Sequence, residues 1–317
     1  MQERLEALLK PPQLYGVAAL VLTGIASFFF AVAYFDGTAH PATSQIAATQ
    51  VSTDVFSGIS LHAQAAIVYD IRTGKTLFER NADTQLPLAS ITKVMLALVV
   101  AENLARDTKI TIPYETAPVG SSQRLGAGEK WTVGDITTFV LVSSSNEGAD
   151  ILADAAGKAV QKRFAGAPTE APAIWRMNTL ARDIGMTRSY FLNANGLDVT
   201  ETQSGAYGSA RDVARLLAYA ASSSPEVFSV TAENGILLAT ERGDHTQALN
   251  TNEALGDIAG LIMGKTGYTD LAGGNLAVVY DVGLAHPLVA VILGSTREGR
   301  FEDMRKLVPA SREAIRQ

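Results

Sequence analysis

The stretch Leu86–Val99, LPLASITKVMLALV, decides how the rest of the chain is read. Ile91, Val94, Met95, Leu98 and Val99 fall at i, i+3, i+4, i+7 and i+8, the spacing of a helix with one face in a core. Pro87 just upstream and Ser90 at its mouth mark the start. Ser90 and Lys93 are three apart at that N-terminus, so their side chains share a face and reach each other. A serine hydroxyl is a weak nucleophile unless a base takes its proton, and a lysine serves when burial or a nearby cation depresses its pKa. The N–H groups of a helix start also suit a developing oxyanion. The same four residues equally describe a helix-capping serine followed by a surface lysine, and roughly one S-x-x-K arises by chance in a chain this long.

Outward from this helix, Ala65–Asp70 is an apolar run followed by a Thr73-Gly74 turn and Thr76–Phe78, which predicts an antiparallel hairpin. A second helix is expected from about Thr132, where Thr132 and Asp135 resemble a capping box, through Ile136, Phe139 and Val140 to the cluster Ser143, Ser144, Ser145. Trp175–Ile184, closed by Gly185, and Ser209–Ala221 read as further helices. Ile258–Met263, Asn275–Asp281 and Leu288–Leu293 read as three successive strands, with a last helix from about Phe301. Strands at both ends with helices between them imply an α+β domain: one antiparallel sheet covered by helices.

The whole chain has 317 residues, enough for one large domain or two ordinary ones. Its mean hydropathy of +0.13 directs attention to a membrane segment. Leu14–Phe35 supplies 22 residues without a charge, about 33 Å of helix against a hydrocarbon core of about 30 Å. Arg4 and Lys10 precede it and no Lys or Arg follows until Arg72, which places the N-terminus in the cytoplasm and the rest outside. The competing reading is a cleavable signal peptide, with Ala31-Val32-Ala33 as a small-x-small site; a buried core helix is a third. The expected organisation is a cytoplasmic segment 1–13, a transmembrane signal anchor 14–35, a tether 36–60 rich in Ala, Thr, Ser and Gln, and a domain 61–317.

Net charge of −6 and a pI near 5.3 argue against a polyanion surface, and no basic cluster with interleaved aromatics is present, so nucleic acid is not an expected partner. Zero cysteines exclude disulfides, thiolate metal sites and a cysteine nucleophile. His40, His62, His245 and His286 are scattered, with no HExxH spacing, and the chain has no GxSxG elbow. No metal and no cofactor is expected.

Two further elements bear on Ser90 and Lys93. Ser144-Ser145-Asn146 follows a helix, and Lys265-Thr266-Gly267 follows the run Ile258–Met263. Singly, the first is a turn and the second a strand with a glycine where backbones approach. In this order they resemble the SxxK, SxN, KTG set of penicillin-binding proteins and class A β-lactamases. LPLASITKVM (86–95), VSSSNEGA (142–149), FLNANGLD (191–198), SARD (209–212), NTN (250–252) and GKTGYTD (264–270) are similar to segments of the low-molecular-mass serine-type D-alanyl-D-alanine carboxypeptidases, over roughly Ala65–Leu307.

The resemblance implies a β-lactamase/transpeptidase-like fold with an all-helical subdomain, and peptidoglycan stem peptides as substrate with β-lactams as covalent inhibitors. It implies Ser90 as the acylated nucleophile and Lys93 as its base. Ser144 would relay a proton to the leaving D-alanine, and Asn146 would bind the substrate amide and orient Lys93. Lys265, whose charge would favour neutral Lys93, and Thr266 would bind the substrate carboxylate, with Arg300 either a second anchor or a solvated arginine in a charged turn. The N–H groups of Ser90 and Tyr268 would form the oxyanion hole; Gly267 would be a close-approach position. Carboxypeptidase and crosslink-cutting D,D-endopeptidase share these motifs; a non-catalytic penicillin-binding sensor or scaffold is a further alternative. No ExxLN-type segment lies between Asn146 and Lys265, so slow rather than rapid deacylation of β-lactams is expected. Two departures are noted: about ten residues follow Leu307, too few for the C-terminal β-rich module and anchor of many relatives, and Tyr207-Gly208-Ser209 replaces a histidine-containing version.

Overall fold

The computed structural model describes residues 54–114, 125–239, 243 and 245–317. The expected segments 1–13 and 14–35, and the tether up to residue 53, lie outside the described residues. In chain order the elements are β1 (Ala65–Asp70), β2 (Thr76–Arg80), β3 (Leu86–Pro87), a 3-10 turn Ala89–Ile91, α1 (Thr92–Asn103), β4 (Lys109–Thr111), β5 (Lys130–Thr132), α2 (Val133–Ser143), α3 (Asn146–Arg163), α4 (Pro172–Asp183), β6 (Tyr190–Phe191), β7 (Ala206–Gly208), α5 (Ala210–Ser223), α6 (Pro225–Phe228), β8 (Gly235–Ala239), β9 (His245–Leu249), β10 (Leu261–Thr269), β11 (Gly273–Asp281), β12 (Pro287–Ser295) and α7 (Gly299–Arg316).

A five-stranded antiparallel sheet runs in the order β10-β11-β12-β1-β2. Joining β1 to β12, with Ala65 opposite Leu293 and Asp70 opposite Leu288, brings the two ends of the domain together. Strand pleating then sorts the side chains. Ala65, Ile67, Ala277, Val279, Val289, Val291 and Leu293 face one core, and Ala66, Val68, Leu276, Val278, Leu288, Ala290 and Ile292 face another. Both faces are dry, which is why these strands are nearly unbroken apolar runs instead of alternating ones.

The first core holds α1 at its centre, packed against α2, α3, α4 and α5. The second is closed by Phe301, Met304, Leu307 and Val308 of α7. The antiparallel sheet covered by helices is therefore as expected. Residues 54–60, expected as tether, are partly folded onto the domain: Phe56 is buried in the second core, its ring centroid 5.1 Å from that of Phe78. No helix among the described residues is long and apolar enough to cross a membrane.

Local chemistry explains the helix starts that position the site. Thr132 caps α2, its hydroxyl accepting from the Asp135 amide at 3.1 Å. Ser209 caps α5 in the same way through the Asp212 amide. Where a loop was expected after α2, a single residue, Ser144, turns the chain in the left-handed region (φ 62°), and Ser145 caps the 18-residue α3. The 258–263 strand also shifts: the strand proper is β10, so Lys265-Thr266-Gly267 lies inside it and on the outer edge of the sheet.

Candidate active site

The capping reading of Ser90 fails on geometry. Ser90 sits inside the 3-10 turn, and neither this turn nor α1 has a side-chain cap. The turn is held in an unfavourable shape, because Ala89, its first residue, has φ 48°, a left-handed conformation that costs an alanine energy. Four surrounding elements hold it there. Asn275 of β11 donates to the Pro87 carbonyl at 3.0 Å, Leu88 donates to Ala206, and Thr92 Oγ1 donates to the Ala89 carbonyl at 2.7 Å. Gly267 of β10 presses against the turn so closely that a Cβ there would lie 2.9 Å from the Leu88 carbonyl oxygen and 3.1 Å from the Ser90 amide.

The surface-lysine reading fails as well. Lys93 is fully buried, and its Nζ donates to Ser90 Oγ at 2.8 Å, to Asn146 Oδ1 at 2.8 Å and to the Asn195 carbonyl at 2.6 Å. Three acceptors match the three donors of an ammonium. Burial lowers its pKa from 10.5 to about 7, against the opposing field of Asp150. Of the two causes read from sequence, burial and a neighbouring cation, burial is therefore the main one.

Ser144, held in its left-handed turn, presents Oγ to Lys265 Nζ at 2.8 Å. Lys265 is also buried, donates to the Thr266 carbonyl at 3.0 Å, and is held well below its usual pKa by burial and by repulsion from Lys93 and Arg300. Thr266 is buried and shares a hydroxyl-hydroxyl hydrogen bond with Thr251, the middle residue of the 250–252 NTN segment. Tyr268 is exposed, with the Arg297 guanidinium 4.5 Å from its ring centroid.

Arg300 is not the solvated arginine of one reading. It is buried in the first turn of α7, behind β10, where Nη1 donates to the Gly267 carbonyl at 2.7 Å. Its Nε has no partner, and burial lowers its pKa, as does Arg297. A buried guanidinium with a spare donor and no ion pair among the described residues, though Glu253 and Glu298 act on it from further off, is an electropositive point facing an edge strand.

Direct hydrogen bonds thus join Ser90, Lys93 and Asn146 in one group and Ser144 and Lys265 in a second, the two lying close enough for Lys93 to repel Lys265, with Thr266, Gly267, Tyr268 and Arg300 on or behind the adjoining strand. Three contributors were not singled out from sequence: Asn195, whose carbonyl binds Lys93; Asp150, which accepts from the Asn195 side chain; and Thr251. Asn195 and Thr251 lie in quoted segments, FLNANGLD and NTN, so the signal was in view without a role.

Known proteins match this arrangement. Residues 48–297 fit the family model described as D-alanyl-D-alanine carboxypeptidase. The chain is 30% identical over 263 residues to the Escherichia coli D-alanyl-D-alanine carboxypeptidase DacC, covering 78% of this chain and 61% of that one. It is 29% identical to a Pseudomonas aeruginosa D-alanyl-D-alanine endopeptidase, covering 78% and 76%. Penicillin-binding protein D2 of Listeria monocytogenes, solved with cefotaxime bound, superposes with a TM-score of 0.66 at 29% identity, over 80% of this chain and 98% of that one. The chain spans about three fifths of the length of the curated E. coli and Bacillus subtilis carboxypeptidases it matches. With the three motifs meeting in one site on a penicillin-binding fold, and a family match over most of its length, this chain belongs to the D-alanyl-D-alanine carboxypeptidase family.

Proposed function

We propose that this protein is a serine-type D-Ala-D-Ala carboxypeptidase that trims peptidoglycan stem peptides through an acyl-enzyme on Ser90. The observation that carries the reading is the buried Lys93 amine 2.8 Å from Ser90 Oγ, with a pKa brought to about 7. In its neutral form the amine donates to Asn146 Oδ1 and the Asn195 carbonyl, leaving its lone pair for the Ser90 proton.

The steps follow from this arrangement. The Ser90 proton passes to Lys93 as Oγ attacks the carbonyl carbon of the penultimate D-alanine. The oxyanion is stabilised by the Ser90 and Tyr268 amides. As the C–N bond breaks, the leaving amine takes a proton through Ser144, which bridges towards Lys265. The proton that Lys93 took from Ser90 makes good the one given to the leaving amine, so Lys93 is neutral again; water then attacks the ester carbonyl, its proton passing to Lys93 and on to Ser90 Oγ as the ester bond breaks. Lys265, Thr266 and Arg300 receive the terminal carboxylate, whose charge offsets the repulsion among Lys93, Lys265 and Arg300. β-Lactams enter the same step and remain as the ester; the Listeria relative solved with cefotaxime and with ampicillin supports this. The domain operates outside the cytoplasmic membrane, held by the 14–35 segment, a placement supported by the charge asymmetry of the sequence.

The test is to label the full-length chain in detergent with a fluorescent penicillin, and to measure D-alanine release from a pentapeptide. Both are expected in wild type and neither in Ser90→Ala; peptide hydrolysis by Ser90→Ala would sink the assignment. The endopeptidase reading is favoured by the P. aeruginosa relative, and monomer release from a crosslinked dimer distinguishes it.

A further inference from the structure

Of the three oxygens around Lys93, one belongs to a loop, the 2.6 Å carbonyl of Asn195. A loop carbonyl at that distance requires fixing. Asn193 brackets the turn, accepting from the Gly196 amide at 2.8 Å and donating to the Leu197 carbonyl at 2.8 Å. Asp198 ties it to the β10–β11 turn through Thr269 Oγ1 and the Leu271 amide. The Asn195 side chain supplies the remaining hold: Oδ1 accepts from the Leu197 amide at 2.9 Å, and Nδ2 donates to both oxygens of Asp150, at 2.9 and 3.1 Å. Asp150 follows Asn146 by one helical turn of α3, so the two share a face. One helix thus serves the same amine twice, Asn146 directly and Asp150 by way of Asn195.

We propose that Asp150 is a positioning residue which, through the Asn195 amide, holds the Asn195 carbonyl on Lys93 and fixes the pH at which Lys93 becomes a base. This rests on Lys93 being the base of Ser90. Charged groups on the elements around Lys93 include Lys265 on β10, itself repelled by Arg300 of α7, Asp198 in the loop, and Glu147 and Asp150 in the N-terminal part of α3. Asp150 is the one whose field opposes the effect of burial on Lys93. Its own carboxyl is raised by desolvation, against the hydrogen bond from Asn195 and the field of Lys93. Removing its charge removes support for the ammonium, so the sign is a shift to lower pH. A purely structural residue would lower the rate at every pH and leave the midpoint alone.

The test uses full-length chain in detergent with 13C-labelled lysine. The Lys93 side-chain resonance is titrated in wild type, Asp150→Asn and Asp150→Glu, beside the pH profile of acylation by fluorescent penicillin. Asp150→Asn keeps an acceptor for Asn195 at nearly the same volume, so the fold is expected to hold. Its Lys93 midpoint is expected at lower pH, with acylation at pH 6 rising about two-fold or more as a fraction of the plateau, while Asp150→Glu follows wild type. Asn195→Ala, which cuts the link and leaves both charges, is expected to lower the plateau about ten-fold. Coincident titrations of wild type and Asp150→Asn, or an Asn195→Ala plateau equal to wild type, would overturn the inference. The resonance is readable whether or not Ser90 reacts, so an unlabelled wild type refutes the proposed function and an unmoved midpoint refutes only the role of Asp150.

Discussion

Gly267→Ala isolates how closely the KTG strand must lie on the nucleophile's turn. A Cβ at Gly267 would meet the Leu88 carbonyl oxygen at 2.9 Å, Ala89 Cβ at 3.1 Å and the Ser90 amide nitrogen at 3.1 Å. All three belong to the turn that carries Ser90, and none is the end of a flexible side chain. Ordinary contact needs about 3.4 Å or more, so strand and turn must separate by about 0.5 Å. A misplacement of about 1 Å at a reacting centre costs about 100-fold, and half of it about ten-fold. Global stability should hold, since Gly267 is not in the left-handed region and alanine suits a strand at least as well. The control is Gly264→Ala on the same strand, where the nearest atom, at 3.1 Å, is the Val278 Cγ1 methyl. The assay is the second-order rate of labelling by fluorescent penicillin, with thermal unfolding in parallel. If Gly267→Ala acylates within two-fold of wild type, the contact does not position Ser90.

Acylation should climb with pH as Lys93 loses its proton: half-maximal near about 7, about one tenth of the plateau a unit below, and the profile absent in Lys93→Arg, which stays charged; stopped-time labelling across pH checks this. Lys265→Gln removes the amine proposed to receive the substrate carboxylate, so KM for a peptide carboxylate should rise about ten-fold or more, as steady-state D-alanine release measures. Arg176, buried between Glu102 (2.7 and 2.9 Å) and Asp183 (3.0 Å), should cost about 2 kcal/mol on change to Ala while labelling at Ser90 is retained; urea unfolding measures it.

Much of the fold was legible because it follows from local rules. The strand β1 is found at the expected residues, the capping pair Thr132 and Asp135 starts a helix as read, and the late apolar runs become β10, β11 and β12. The misses have physical causes. Residues 146–163 have small residues and scattered charges rather than a strong stripe, so α3 was hidden behind three serines that looked like a loop. Phe56 looked like part of a polar tether because one aromatic in a low-complexity stretch carries no period; only the second core, assembled from both chain ends, gives it a place.

The motifs Ser90/Lys93, Ser144/Asn146 and Lys265/Thr266 could be found by order and spacing, since residue type and local geometry are properties of the chain. Their state could not. Whether Ser90 caps a helix or faces an amine depends on the left-handed Ala89 and the elements pressing on it. Whether Lys93 is a solvated cation or a base near neutral pH depends on how much water the fold removes. A serine and a lysine three apart are determined by sequence; the desolvation that separates a cap from a nucleophile is a sum over neighbours from β10, α3 and the 193–198 loop, and only the tertiary structure brings those together.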